Sequence, residues 1–160
     1  MNMFWTALPI RDAIWLCRRD ETGTRPVREI PSGTSAPLEL HHVEVSPRGY
    51  AAVFNGKKLH IVPPDDSLPA VVTLPDDLEQ VHAVHFRNEV LYVGGRSSWQ
   101  DTSRLGWIDV TEAEPTWHSL PAPNVVGDPS LPVYALFSTG PRLVALDGSF
   151  TPKLALLYDI

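Results

Sequence analysis

Short apolar runs alternate with turn-forming residues along the whole chain, and no stretch sustains a helical period. The pattern is clearest over 81–123, VHAVHFRNEVLYVGGRSSWQDTSRLGWIDVTEAEPTWHSLPAP. Four runs rich in β-branched and aromatic residues lie there: Val81–Phe86, Glu89–Val93, Leu105–Val110 and Thr116–Leu120. Arg87-Asn88, Gly94-Gly95 and Glu112–Pro115 supply the turn chemistry. A similar unit precedes it, with strands expected at Leu40–Val45, Tyr50–Phe54, Leu59–Val62 and Ala70–Leu74. Its Asn55-Gly56 pair is the strongest hairpin signal in the chain, because a type I′ turn needs positive φ at both central residues. Phe4–Leu8, Ala13–Arg18 and Pro26–Ile30 read as strands before it, and Val133–Phe137, Arg142–Leu146 and Lys153–Tyr158 after the central unit. The nearest helical candidate, Leu74–His85, allows at most one turn at Pro75–Gln80. Fourteen strands with short connectors predict an all-β fold, read as one domain over 1–160.

A repeat organises these strands. Leu8-Pro9, Ile30-Pro31, Leu74-Pro75 and Leu120-Pro121 each end an apolar run on a residue that cannot donate to a ladder. Their intervals are 22, 44 and 46 residues, and four-stranded units at periods near 40–50 residues are the mark of a β-propeller. The expected architecture is propeller-like: about four blades of antiparallel four-stranded meanders, with Ala13–Pro31 a degenerate blade. The ring is either closed or incomplete.

The central unit resembles kelch-type propeller repeats. In that family a Gly-Gly doublet follows the second strand, Tyr-Asp lies near the third, and a Trp opens the fourth before Leu-Pro. Gly94-Gly95, Ile108-Asp109 and Trp117-His118-Ser119-Leu120-Pro121 stand at those places, with isoleucine for tyrosine and a longer Asp-to-Trp spacing of eight. WIDVTEAEP is also similar to a segment of the bacterial LVIVD-type propeller repeat. Tyr158-Asp159 matches the third-strand motif again, and Trp5-Thr6-Ala7-Leu8-Pro9 matches its continuation. The resemblance implies that Phe4–Leu8 pairs with Lys153–Tyr158, either closing the ring within one chain or exchanging strands between copies in a homo-oligomer.

Composition narrows the function. Sixteen prolines, against about eight expected from average usage, are spread along the chain as turn punctuation. A net charge of −6 argues against a nucleic-acid footprint. The apolar runs are too short for a membrane helix, and no basic segment followed by a long apolar run marks a signal peptide. The lone Cys17 excludes an internal disulfide and fits a reducing, cytoplasmic compartment.

No catalytic set stands out. G-x-S-x-G is absent, and Gly94-Gly95 is not followed by a phosphate-loop lysine, so a bulge or close strand approach is its expected role. His82 and His85, three apart on a strand, are expected on opposite faces. Neither a metal nor another cofactor is expected. Inner strands could offer His41, His42, Glu44, His82 and His85 to a channel, but Val133–Phe137 adds no His, Asp or Glu. The polar loop RSSWQDTSR has the composition of an interface anchor, with Arg96, Trp99, Gln100, Asp101 and Arg104 as candidate contacts. Gly94, Gly95, Trp117, Trp5, Tyr158 and Asp159 are assigned to structure. The expected function is a non-catalytic module that binds a protein or peptide. The alternative is a hydrolase or lyase with a histidine- or carboxylate-based site lining the channel.

Overall fold

The structure is a computed structural model that describes residues 4–10, 13–30, 43–55, 58–65, 67–97, 105–120, 133–148 and 152–159. Those residues form fourteen strands and no helix. Every expected run becomes a strand, most of them slightly longer or shorter than read. The strands make four separate antiparallel sheets, each a simple meander in chain order.

The first sheet holds β1 (Phe4–Ile10), β2 (Ala13–Asp20) and β3 (Gly23–Ile30). The second holds β4 (Val43–Val45), β5 (Ala51–Asn55), β6 (Lys58–Val62) and β7 (Ala70–Thr73). The third holds β8 (Leu78–Arg87), β9 (Val90–Ser97), β10 (Leu105–Asp109) and β11 (His118–Ser119). The fourth holds β12 (Val133–Thr139), β13 (Arg142–Gly148) and β14 (Pro152–Asp159). The first strand of each sheet lies against the first strand of the next: β1 beside β4, β4 beside β8, and β8 beside β12.

Within the chain the two terminal strands do not pair, contrary to the ring-closing expectation. β1 pairs with β2 along its whole length, from Phe4↔Arg19 to Ile10↔Ala13, and β14 pairs with β13. Trp5 stands opposite Arg18 and Tyr158 opposite Leu143, so the two strands belong to different sheets. Only residues 11 and 12 separate β1 from β2, so that hairpin closes with little entropy loss, and β1 then lies beside β4 while β14 forms the far edge of the fourth sheet. Pro9 does not stop β1, because β1 is a sheet edge where a missing N–H is tolerated.

The main core lies between the second and third sheets. Ala52, Phe54, Leu59, Ile61, Val72 and Leu74 meet Leu78, Leu91, Val93, Ile108 and Val110, and Trp117 packs against them. Alternation explains it: Leu59 and Ile61 face this core, while their neighbour Val62 turns to a second cluster. That cluster joins Ala51, Val53 and Val62 to Leu16 of the first sheet. A third cluster joins Leu105 of the third sheet to Val133 and Ala145 of the fourth. Adjacent sheets are therefore held by buried apolar faces all along the series. No helix of the described residues is long and apolar enough to cross a membrane.

Candidate functional site

The loop expected to bind is carried by β9 and β10, which pair from Val90↔Asp109 to Gly94↔Leu105. Trp99, Gln100, Asp101 and Arg104 lie outside the described residues. Arg96 stands at the stem, where its Nε is 3.3 Å from Glu79 Oε2 across the β8–β9 ladder. Both side chains are largely exposed, so the pair contributes under about 1 kcal/mol and leaves Arg96 exchangeable. The two glycines below it have no room for a side chain. A Cβ on Gly94 would run into Val133 of the fourth sheet, and one on Gly95 into the carbonyl of Gln80. Gly95 sits where the β8–β9 register shifts, between Val81 and Ala83.

The positions that carry the kelch resemblance have local geometry of their own. Asp109 Oδ1 accepts from the Thr111 amide at 2.9 Å and its hydroxyl at 2.7 Å, which turns the chain after β10. The Trp117 ring lies on Gly106, where any Cβ would overlap it, and Trp117 Nε1 donates to Ser119 Oγ at 3.1 Å. Beside it Trp107 stacks on His118, with ring centroids 4.1 Å apart and planes at 17°. Asp159 faces Arg142, whose Nε is 3.4 Å from its Oδ1.

The seam between β8 and β12 corrects one reading. His82 and His85 were expected on opposite faces, yet both meet β12. The His82 ring is 4.6 Å from the Tyr134 ring, and His85 Nε2 is 2.9 Å from Ser138 Oγ. The cause is a β-bulge: Val81 pairs with Gly95 and Ala83 with Gly94, so His82 is the extra residue and the alternation slips by one. β12 carries the same irregularity, with Tyr134 extra between Val133 and Ala135. The bulged residues of neighbouring sheets thus touch each other. Burial holds the His85 imidazole below its ordinary range, with Arg87 adding to the effect. Burial also pushes up the phenol of Tyr92, which pairs with His85.

Sequence reasoning missed Tyr134 and Ser138. A signal exists: Val81-His-Ala-Val84 and Val133-Tyr-Ala-Leu136 are the same bulge motif, starting 52 residues apart (81 and 133).

Turns at one end of the sheets are tied together. Glu89, in the β8–β9 turn, accepts from Ser46 Oγ at 2.5 Å and from the Arg48 amide at 3.2 Å in the β4–β5 turn. Ser46 Oγ also accepts from the Tyr50 amide at 3.1 Å. Ser46 is only 4% exposed, so its hydroxyl needs these partners. The His85–Ser138 bond ties the same ends of β8 and β12. Arg28 of β3 reaches across to the carbonyls of Ser67 at 2.5 Å and Asp65 at 3.1 Å. The connections β5–β6, β7–β8, β9–β10 and β11–β12 leave from the opposite end, as a meander requires.

Other candidates hold less chemistry. Among the described residues no three His, Cys, Asp or Glu side chains are placed to hold a metal. His41 and His42 lie outside the described residues. Cys17 is buried, donates weakly to the Trp15 carbonyl at 3.5 Å, and has its thiol pushed up by burial, as for an inert structural cysteine. A depression of about 530 Å³ on the first sheet is lined by Thr6, Leu8, Arg19 and Thr24, which among the described residues include no nucleophile–base pair. No protein family, curated protein or solved structure matches this chain.

Proposed function

We propose that the chain is a non-catalytic binding module, a propeller-like series of sheets that grips a protein or peptide with the connections at its open end. The observation that carries this reading is the asymmetry of the two ends. At one end side-chain hydrogen bonds tie the β4–β5 turn to the β8–β9 turn through Ser46 and Glu89, and β8 to β12 through His85 and Ser138. From the other end leave the thirteen-residue connection between β11 and β12 and the polar stretch with Trp99 between β9 and β10. The side-by-side first strands support the radial arrangement, since blades in a propeller meet through their innermost strands. A loop aromatic flanked by arginines is the residue set from which interface hot spots are drawn.

The test uses a photo-crosslinking amino acid at position 99 and, separately, at Glu112 in the turn after β10, at the locked end. A discrete cross-linked partner from position 99 alone is expected, and Trp99→Ala should abolish its capture while leaving the melting temperature within about 1 °C. Equal capture from both positions, or unfolding by Trp99→Ala, would contradict the reading. An enzyme whose site lines a channel between first strands is the second reading. It is favoured by the His85–Ser138 hydrogen bond, which pairs a neutral base with a hydroxyl across two of those strands.

A further inference from the structure

The first sheet meets the second through one of its two faces. Leu16 of β2 packs into the cluster that joins those sheets, so its neighbours Trp15 and Cys17 belong to the opposite face. The ladder fixes what else stands there. Cys17 pairs with Thr6 of β1 and Trp15 with Leu8. Arg19, two places beyond Cys17 on the same face, pairs with Thr24 of β3. Thr6, Leu8, Arg19 and Thr24 line the depression of about 530 Å³. That volume falls within the range that holds small organic ligands.

The lining says what kind of ligand fits. It offers one guanidinium, two hydroxyls and one apolar side chain, and no acid among its described residues. The Arg19 side chain is exposed, and among the described residues it has no ion-pair partner. The nearest arginine along β2, Arg18, and its cross-strand partner Arg25 stand on the other face. The depression therefore carries a single positive charge, in a chain of net charge −6. A guanidinium fork matches both oxygens of a carboxylate, and neighbouring hydroxyls can donate to the lone pairs left over. One cation balances a monoanion and leaves a phosphate dianion half compensated. Leu8, 38% exposed and opposite Trp15 in the ladder, gives the body of the ligand an apolar support.

We propose that this depression binds an organic monocarboxylate with an apolar body, its carboxylate held by Arg19, Thr6 and Thr24 and its body resting on Leu8. A free acid and the C-terminus of a peptide share this chemistry. The site lies on the first sheet, apart from the Trp99 connection, and stands independently of the role given to that connection.

Proton–nitrogen NMR titration of the full chain tests it, with N-acetyl-leucine as the probe. Saturable shifts are expected at the Arg19 side-chain N–H and at the Thr6 and Thr24 amides, and none with N-acetyl-leucinamide, which lacks the charge. Arg19→Gln should weaken binding by roughly tenfold or more. Arg19→Lys keeps the charge but loses the fork, so it should fall in between. Arg48→Gln, at an exposed position in the β4–β5 turn, should leave binding unchanged. The same spectra show whether each variant is folded. An acetylated tripeptide ending in leucine separates the two sources: tighter binding than N-acetyl-leucine assigns the site to peptide C-termini, and equal or weaker binding to free acids. Either result supports a carboxylate on Arg19. The proposal is overturned by the absence of saturable shifts with both probes, by an equal response to the amide, or by binding indifferent to Arg19→Gln. Inorganic phosphate bound as tightly as N-acetyl-leucine also overturns it.

Discussion

Trp117→Ala is expected to destabilise the fold by about 3 kcal/mol, the loss usual for truncating a packed aromatic ring. Trp117 leans on the core shared by the second and third sheets, and its indole N–H is satisfied by Ser119. The ring also covers Gly106 closely enough that no Cβ fits beneath it. Gly106→Ala should therefore cost about 2 kcal/mol by overpacking. The two effects share one cause, so they should not add. With the ring gone, the new methyl at position 106 has space, and the double variant should be little less stable than Trp117→Ala alone. Urea denaturation of the four chains gives the coupling directly. Additive losses would show that the ring does not lie on Gly106.

The second large effect is at His60. It is buried at 2% exposure, and neither ring nitrogen has a hydrogen-bond partner among the described residues. It lies on β6 between Val53 of β5 and Val71 of β7 in the ladder, on the face that carries Val62 and meets Leu16. Several cationic positions lie on that side. Lys58 shares the β6 face, Arg28 is the cross-strand neighbour of Leu16, and Arg18 follows Leu16 two places along β2. Burial first, and Lys58 second, hold the imidazole below its ordinary value of 6.5. The unfolded chain therefore binds a proton on this histidine at a higher pH than the native chain does. Stability from this group is complete above about 6.5 and declines as pH falls from there through the native value. His85, also depressed, adds loss in the same direction. Asp65, held low by its bonds to Ser67, titrates in a separate window below its ordinary 3.8. His60→Leu removes a buried unsatisfied polar group, so it should stabilise by about 1–2 kcal/mol at neutral pH. The gain should widen towards pH 5. Melting curves from pH 8 to about pH 5 would check this. A gain that shrinks on acidification would mean that His60 finds an acidic partner when charged.

Strands were legible because their signals are local. Alternating apolar residues and turn pairs such as Asn55-Gly56 act over a few positions, and β5 and β6 pair across that turn, with Asn55 opposite Lys58. The close approaches at Gly94 and Gly95 were legible for the same reason, since a doublet at a strand end has few other uses. Pairing between distant strands was not legible. Trp5-x-x-Leu-Pro suggested a partner at the far end of the chain, but β1 lies beside β4 and β14 at the far edge of another sheet. Face assignment failed at His82 because simple alternation contains no bulges, and a single extra residue reverses every side chain beyond it. Clasps such as Glu89 with Ser46 join residues 43 positions apart that carry no mark in the sequence. The polar residues at the sheet seams were accordingly the hardest to foresee.

The arrangement of the sheets is best tested by nuclear Overhauser contacts in the wild-type chain. Cross-peaks are predicted between the ring protons of His82 and Tyr134, and between the α-protons of Gly94 and the methyls of Val133, because the third and fourth sheets meet there. Cross-strand α-proton contacts are predicted between β1 and β2 and between β13 and β14. Contacts between β1 and β14, with none between His82 and Tyr134, would contradict the order of sheets on which this account rests.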